Sequence, residues 1–180
     1  AKMFGDSLHA PFYYGVCSGD PTDSSLIIWT HITPPTTDSV YMTVNWEISG
    51  DTSFSSILQS GTAVADSFVT FTLKVDVSGL NAGSVYYYRF SDLSGNYSAW
   101  GRAKTLPTGN ISNTKLAALS CSSVFSGFFN AYRRLAERDY LQLIVHLGDY
   151  IYDFVDPDEP VRVTNPFPVD CETRQDWIDR

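Results

Sequence analysis

The chain has 180 residues, 43 % of them hydrophobic and 18 % charged, which is ample apolar material for a packed core and argues against a disordered chain. Its formal net charge of −8 would repel a phosphodiester backbone, so nucleic-acid binding is not expected. No apolar run approaches the roughly 20 residues that span a bilayer, and no basic stretch leads into an apolar segment at the start, so no transmembrane segment is expected.

The first hundred residues read as short strands between turns. Leu26-Ile27-Ile28-Trp29 is a compact apolar run. Val40 to Ile48 alternates, with Val40, Met42, Val44 and Trp46 on one face and Tyr41, Thr43, Asn45 and Glu47 on the other. Phe68 to Val77 alternates again through Phe71, Leu73, Val75 and Val77, and Val85 to Phe90 is a tyrosine-rich run. Gly19-Asp20-Pro21, Pro34-Pro35, Ser49-Gly50-Asp51, Asn81-Ala82-Gly83 and Ser94-Gly95-Asn96 supply the turns. Short strands at this spacing, rich in Tyr, Phe, Val and Thr, predict an all-β sandwich of the fibronectin-III-like kind over residues 1–108, with Trp29, Trp46 and the tyrosines of 85–90 in its core.

Pro107-Thr108-Gly109-Asn110 reads as a linker, and the pattern changes after it. Leu116 to Ser120 is expected to be a buried strand ending at Cys121. Residues 125–139 are predicted helical, with Phe128, Tyr132, Leu135 and Ala136 on one face. Leu141 to Leu147 is expected to be a second buried strand, ending at Gly148-Asp149. This is the first β-α-β of an α/β domain starting at residue 112, with its two strands parallel. The tail from Phe154 to Arg180 is rich in Pro and acidic residues, with a final helix expected over 172–180.

In an open parallel sheet, functional groups gather at the carboxyl ends of the strands. Neighbouring strands lie roughly 4.8 Å apart, so Cys121 and Asp149 at two adjacent strand ends can reach one metal ion or two adjoining ones. Tyr152, three residues on, can return its phenol to the same ion. Thiolate, carboxylate and phenolate favour a highly charged cation; ferric iron fits, and the carboxylate can bridge to a harder ion such as calcium. His146, inside the strand, reads as a core histidine or a donor behind the ligands. The acidic residues Asp153, Asp156, Asp158 and Glu159 read as a solvated loop in preference to a calcium site, and Arg102 as half of an ion pair in preference to a contact to substrate phosphate. The three cysteines are odd in number, and whether Cys17 and Cys171 pair stays open.

Gly148-Asp149-Tyr150-Ile151-Tyr152 matches the Gly-Asp-x-x-Tyr motif of purple-acid-phosphatase-like metallophosphoesterases. Longer words are more specific. Gly15-Val16-Cys17-Ser18-Gly19-Asp20-Pro21 and Ile28-Trp29-Thr30 resemble the start of the N-terminal domain of the PhoD-like alkaline phosphatase family. Tyr86-Tyr87-Tyr88-Arg89-Phe90, Gly101-Arg102 and Thr105-Leu106-Pro107 resemble its end. Ser120-Cys121-Ser122, Gly127 to Arg133 and His146 to Tyr152 resemble the start of the family's catalytic domain. The likeness weakens after residue 153; Cys17 stands where the family usually has Ala, and Asp153 where it usually has Glu.

The resemblance implies an exported enzyme, periplasmic or extracellular, that hydrolyses phosphate esters with metal-bound hydroxide over Fe3+ and Ca2+. Cys121 and Tyr152 would ligate iron, and Asp149 would bridge iron to calcium. It also implies that later acidic and histidine ligands lie beyond residue 180. This chain is then the N-terminal part of the enzyme, inactive by itself and partnered by the remainder of its catalytic domain, as a second chain if the enzyme is nicked. The rival expectation is a non-catalytic sandwich that binds a glycan or a protein.

Overall fold

The computed structural model describes residues 7–123, 128–152, 170–173 and 176. Residues 2–110 and 111–180 form two compact units.

The N-terminal unit is built from two antiparallel sheets. Strands β1 (Val16–Gly19), β2 (Ser25–His31) and β5 (Thr72–Ser78) form one, in the order β1-β2-β5. Strands β3 (Tyr41–Ser49), β4 (Ile57–Asp66), β6 (Val85–Ser91) and β7 (Gly101–Lys104) form the other, in the order β4-β3-β6-β7. Alternation decides which side chains enter the core between them. Leu26 and Ile28 of β2 and Leu73 and Val77 of β5 meet Val44 and Ile48 of β3 and Tyr86, Tyr88 and Phe90 of β6. Phe12 and Ile32 enter the same core from outside the strands. Each such side chain contributes roughly 1.5–3 kcal/mol by burial, so these residues hold the sheets together.

Polar groups fix the edges. Tyr86 Oη accepts a hydrogen bond from the Asn81 N–H at 2.8 Å, and the buried Thr105 hydroxyl donates to the Asn81 carbonyl at 2.6 Å. Glu47 and Arg89 stand opposite each other on β3 and β6 and form an ion pair at 2.7 Å. The Arg89 guanidinium also lies 4.1 Å from the ring centroids of Phe54 and Tyr97. An aromatic on two sides immobilises the cation, which makes this pair worth more than an ordinary surface one.

Three local expectations are corrected here. Trp29 and Tyr87 lie half-buried on the outward sides of β2 and β6, because Ile28 and Thr30, and Tyr86 and Tyr88, on either side of them point into the core. Phe68 is exposed and helical rather than the start of a strand: the Asp66 carboxylate accepts from the N–H groups of Phe68 and Val69 and caps a single turn over Ser67–Val69. A side chain that satisfies backbone donors locally competes with strand pairing. The strand β4 was not expected. Its Gly61 sits against the Trp46 indole, where an added Cβ would be 2.8 Å from the ring, and Ser60, Gly61, Ala63 and Ala65 in its middle carry little β signal.

In the second unit, β8 (Leu116–Leu119) and β9 (Leu143–His146) pair in parallel, Leu116 with Leu143 through Leu119 with His146. The helix α1 (Asn130–Ala136) lies between them in sequence. It is shorter than expected: it begins after Phe129, whose φ of +31° is left-handed, and ends at Glu137. Residues 125–127 of the expected helix lie outside the described residues. Tyr132 and Leu135 of the expected apolar face are half-buried, whereas Phe128 and Ala136 are exposed.

The strands are also less buried than expected, with Leu116, Leu143 and Ile144 exposed. Parallel sheets are normally covered on both faces, and two strands with a helix of 7 residues do not supply that cover among the described residues. Near the C-terminus, Asp176 accepts from the Thr173 N–H at 2.7 Å and donates its own N–H to the Thr173 hydroxyl at 3.3 Å, a reciprocal helix start. Most of the expected helix over 172–180 lies outside the described residues. Among the described residues, no helix is long and apolar enough to cross a membrane.

Candidate metal centre

The parallel pairing of β8 and β9 continues past the strands. The Leu147 N–H donates to the Leu119 carbonyl at 2.7 Å, Cys121 N–H to the Gly148 carbonyl at 3.2 Å, and Ser122 N–H to the Asp149 carbonyl at 3.0 Å. This ladder draws the two strand exits side by side. Gly148, at φ +127°, takes a conformation that side chains disfavour, which accounts for glycine before Asp149. Cys121 (φ +59°) and Asp149 (φ +53°) are themselves left-handed without being glycine. Backbone of this kind costs free energy and concentrates at functional sites.

The three residues singled out in the sequence come together. Cys121 Sγ lies 3.5 Å from Asp149 Oδ2, and Tyr152 Oη lies 3.3 Å from the same oxygen. Both the thiol and the phenol donate to the carboxylate. Cys121 and Asp149 are exposed and Tyr152 is half-exposed, so the cluster opens to solvent. The Tyr152 phenol is pushed up to about 12, chiefly by its hydrogen bond with Cys121 and then by desolvation and the Asp149 charge. A cation between these groups would favour the deprotonated Tyr152 phenol, and thiolate, phenolate and carboxylate together suit a highly charged ion such as ferric iron. The donor set therefore fits the metal that the sequence suggested. Among the described residues no three His, Cys, Asp or Glu side chains converge, so the tyrosine is needed to make a third donor here.

His146 stands behind this cluster rather than in it. Its Nε2 lies 2.9 Å from Tyr132 Oη and 3.2 Å from Ser122 Oγ, and Ser122 also hydrogen-bonds Tyr132. Sequence reading left Ser122 unassigned and took Tyr132 only as part of an apolar helix face. The signal available for Ser122 was its place directly after a candidate ligand at a strand end.

Other candidates lie elsewhere. Cys17, Cys121 and Cys171 carry free thiols. His31 belongs to the N-terminal unit, where its ring meets Tyr14 edge-on at 4.6 Å. Arg102 is exposed and forms no ion pair among the described residues; the expected partner role falls to Arg89. Asp153, Asp156, Asp158 and Glu159 lie outside the described residues.

A parallel strand pair ending in thiol, carboxylate and phenol, joined to an antiparallel two-sheet unit, defines the class. The PhoD-like phosphatase N-terminal domain matches residues 4–107, and the PhoD-like phosphatase domain matches residues 116–177. The chain belongs to the PhoD-like phosphatase family. It is 36 % identical over 161 residues to alkaline phosphatase D of Bacillus subtilis, covering 86 % of this chain and 27 % of that protein. A solved structure of PhoD superposes with a TM-score of 0.85 at 34 % identity, covering 94 % of this chain and 34 % of that one. The sensor domain of the anti-sigma factor RsgI4 of Pseudobacteroides cellulosolvens matches 52 % of this chain and 92 % of its own at a TM-score of 0.39 and 11 % identity, too low to bear on the fold. The chain thus spans about a third or less of the PhoD proteins it matches.

Proposed function

We propose that this chain supplies the N-terminal sandwich and the first metal ligands of an exported, metal-dependent phosphoesterase. In this reading the sandwich is fibronectin-III-like, and β8-α1-β9 is the first β-α-β of a metallophosphoesterase domain. The remainder of that domain, in the same polypeptide or a second chain, completes it. The observation that carries the proposal is the meeting of Cys121, Asp149 and Tyr152 within 3.5 Å contacts at a parallel sheet rim, in a chain of the PhoD-like phosphatase family.

Cys121 and Tyr152 would hold ferric iron, and Asp149 would join it to calcium. When bound, such ions acidify water and neutralise charge on a phosphate ester. The chain's own contribution is placement. The backbone ladder from Leu119 to Ser122 fixes where the sulfur and the carboxylate emerge. The thiol and the phenol, both hydrogen-bonded to Asp149, would hold a cation in their deprotonated forms. The net charge of −8 would work against a phosphorylated substrate, so neutralising this rim is a condition for binding one.

The test is hydrolysis of 4-nitrophenyl phosphate and bis(4-nitrophenyl) phosphate by the full-length gene product. Activity should disappear on chelation, return with iron and calcium, and fall by orders of magnitude in Asp149→Asn. Undiminished turnover after exhaustive chelation, or in Asp149→Asn, would reject the proposal.

A further inference from the structure

His146 touches both sides of the rim. Its Nδ1 accepts from the Gly148 N–H at 3.4 Å, which leaves the proton on Nε2. Nε2 in turn faces the Ser122 hydroxyl and Tyr132 Oη. One imidazole thus ties the residue directly after Cys121 to the residue directly before Asp149. Its orientation is held from two directions: the Tyr132 ring lies parallel to it, at an interplanar angle of 3°, and Tyr150 meets it edge-on with centroids 5.0 Å apart. Cys121 and Asp149 are the two residues of this rim with left-handed backbone but no glycine freedom, and such conformations persist only where the surroundings over-determine them.

We infer that His146, acting through Ser122, Tyr132 and the Gly148 amide, is a positioning residue that sets the separation and aim of Cys121 and Asp149. It makes no metal contact; it fixes the backbone from which the two donors project. The inference rests on the metal reading above and adds a residue set to it.

Groups that orient metal ligands from behind typically govern affinity by roughly 10- to 100-fold. The imidazole offers two separable ties. A Gln at 146 can mimic Nε2, an Asn can mimic Nδ1, and a Phe mimics neither. The experiment is ferric iron binding to the full-length gene product, measured by competition with nitrilotriacetate, together with its visible absorption band and its thermal midpoint. His146→Phe should weaken iron binding by about 10- to 100-fold and move the band. His146→Gln and His146→Asn should each keep part of the affinity. Ser122→Ala should weaken binding in the same direction by less, and Ser122→Thr, which keeps the hydroxyl, should restore it. Should His146→Phe fail to fold, the Ser122 pair decides alone.

Iron affinity and band unchanged in His146→Phe and Ser122→Ala, with wild type binding iron normally, would overturn the inference and leave the metal site standing. Loss of thermal stability with unchanged iron affinity would overturn it too, because a purely structural knot behaves that way. A wild type that binds no iron would remove both readings.

Discussion

Glycine and alanine at the two strained positions should separate backbone strain from ligand chemistry. Asp149→Ala and Asp149→Gly both delete the carboxylate, but only glycine relieves a φ of +53°. A left-handed non-glycine residue costs roughly 1–2 kcal/mol. Glycine returns about 0.5–1 kcal/mol of that through its greater freedom in the unfolded chain. The net expectation is that metal-free Asp149→Gly is more stable than Asp149→Ala by about 0.5–1 kcal/mol, and Cys121→Gly than Cys121→Ala by a similar amount, since Cys121 sits at +59°. The strain is local, so local opening should report it. Hydrogen exchange of the full-length gene product should show the Ser122 amide, bonded to the Asp149 carbonyl, roughly 2- to 5-fold better protected in Asp149→Gly than in Asp149→Ala. The Leu147 amide, bonded to the Leu119 carbonyl, serves the Cys121 pair. Equal or greater protection in the alanine variants would refute the idea that the rim stores strain for the sake of its donors.

Two further outcomes concern the N-terminal unit. Gly101→Ala places a Cβ 2.3 Å from the Tyr88 ring, which is only 1 % exposed and cannot move aside, whereas an added Cβ at Gly19 meets nothing within 4 Å. Overpacking of this kind costs about 1–3 kcal/mol, so Gly101→Ala should lower the urea midpoint of that unit clearly and Gly19→Ala should barely change it. The His31 imidazole is held below its ordinary value by desolvation, which outweighs backbone hydrogen bonding, and among the described residues its buried Nδ1 has no hydrogen-bond partner. A depressed pKa means the unfolded chain takes up the proton first. This contribution to stability is therefore complete above about pH 6.5 and is lost as pH falls through the lower folded value. A urea titration across pH 5 to 8 should show that slope in the wild type and a shallower one in His31→Phe.

The parts of the fold legible in the sequence were those with a compact apolar or aromatic run or with strong alternation. In β2, β3 and β6, large apolar residues at every second position match the side chains found in the core. The strand β4 was hidden because Ser60, Gly61, Ala63 and Ala65 in its middle carry little β signal. The four-residue strands β1 and β7 were too short to show a period. Around Phe68 the alternating pattern persisted, but the Asp66 carboxylate turned the backbone before the strand began. At the rim, the positions at successive strand ends together with the resemblance to the PhoD-like family brought Cys121, Asp149 and Tyr152 forward. The knot behind them was not visible, because Tyr132 reaches it from a helix and nothing in the local sequence of Ser122 signals a partner 10 residues away.

The most direct measurement is the visible absorption and iron content of the purified full-length gene product. The account predicts bound iron with a charge-transfer band that Tyr152→Phe displaces and Cys121→Ala eliminates along with the metal. Iron-free protein, or a band and an iron content indifferent to both substitutions, would contradict it.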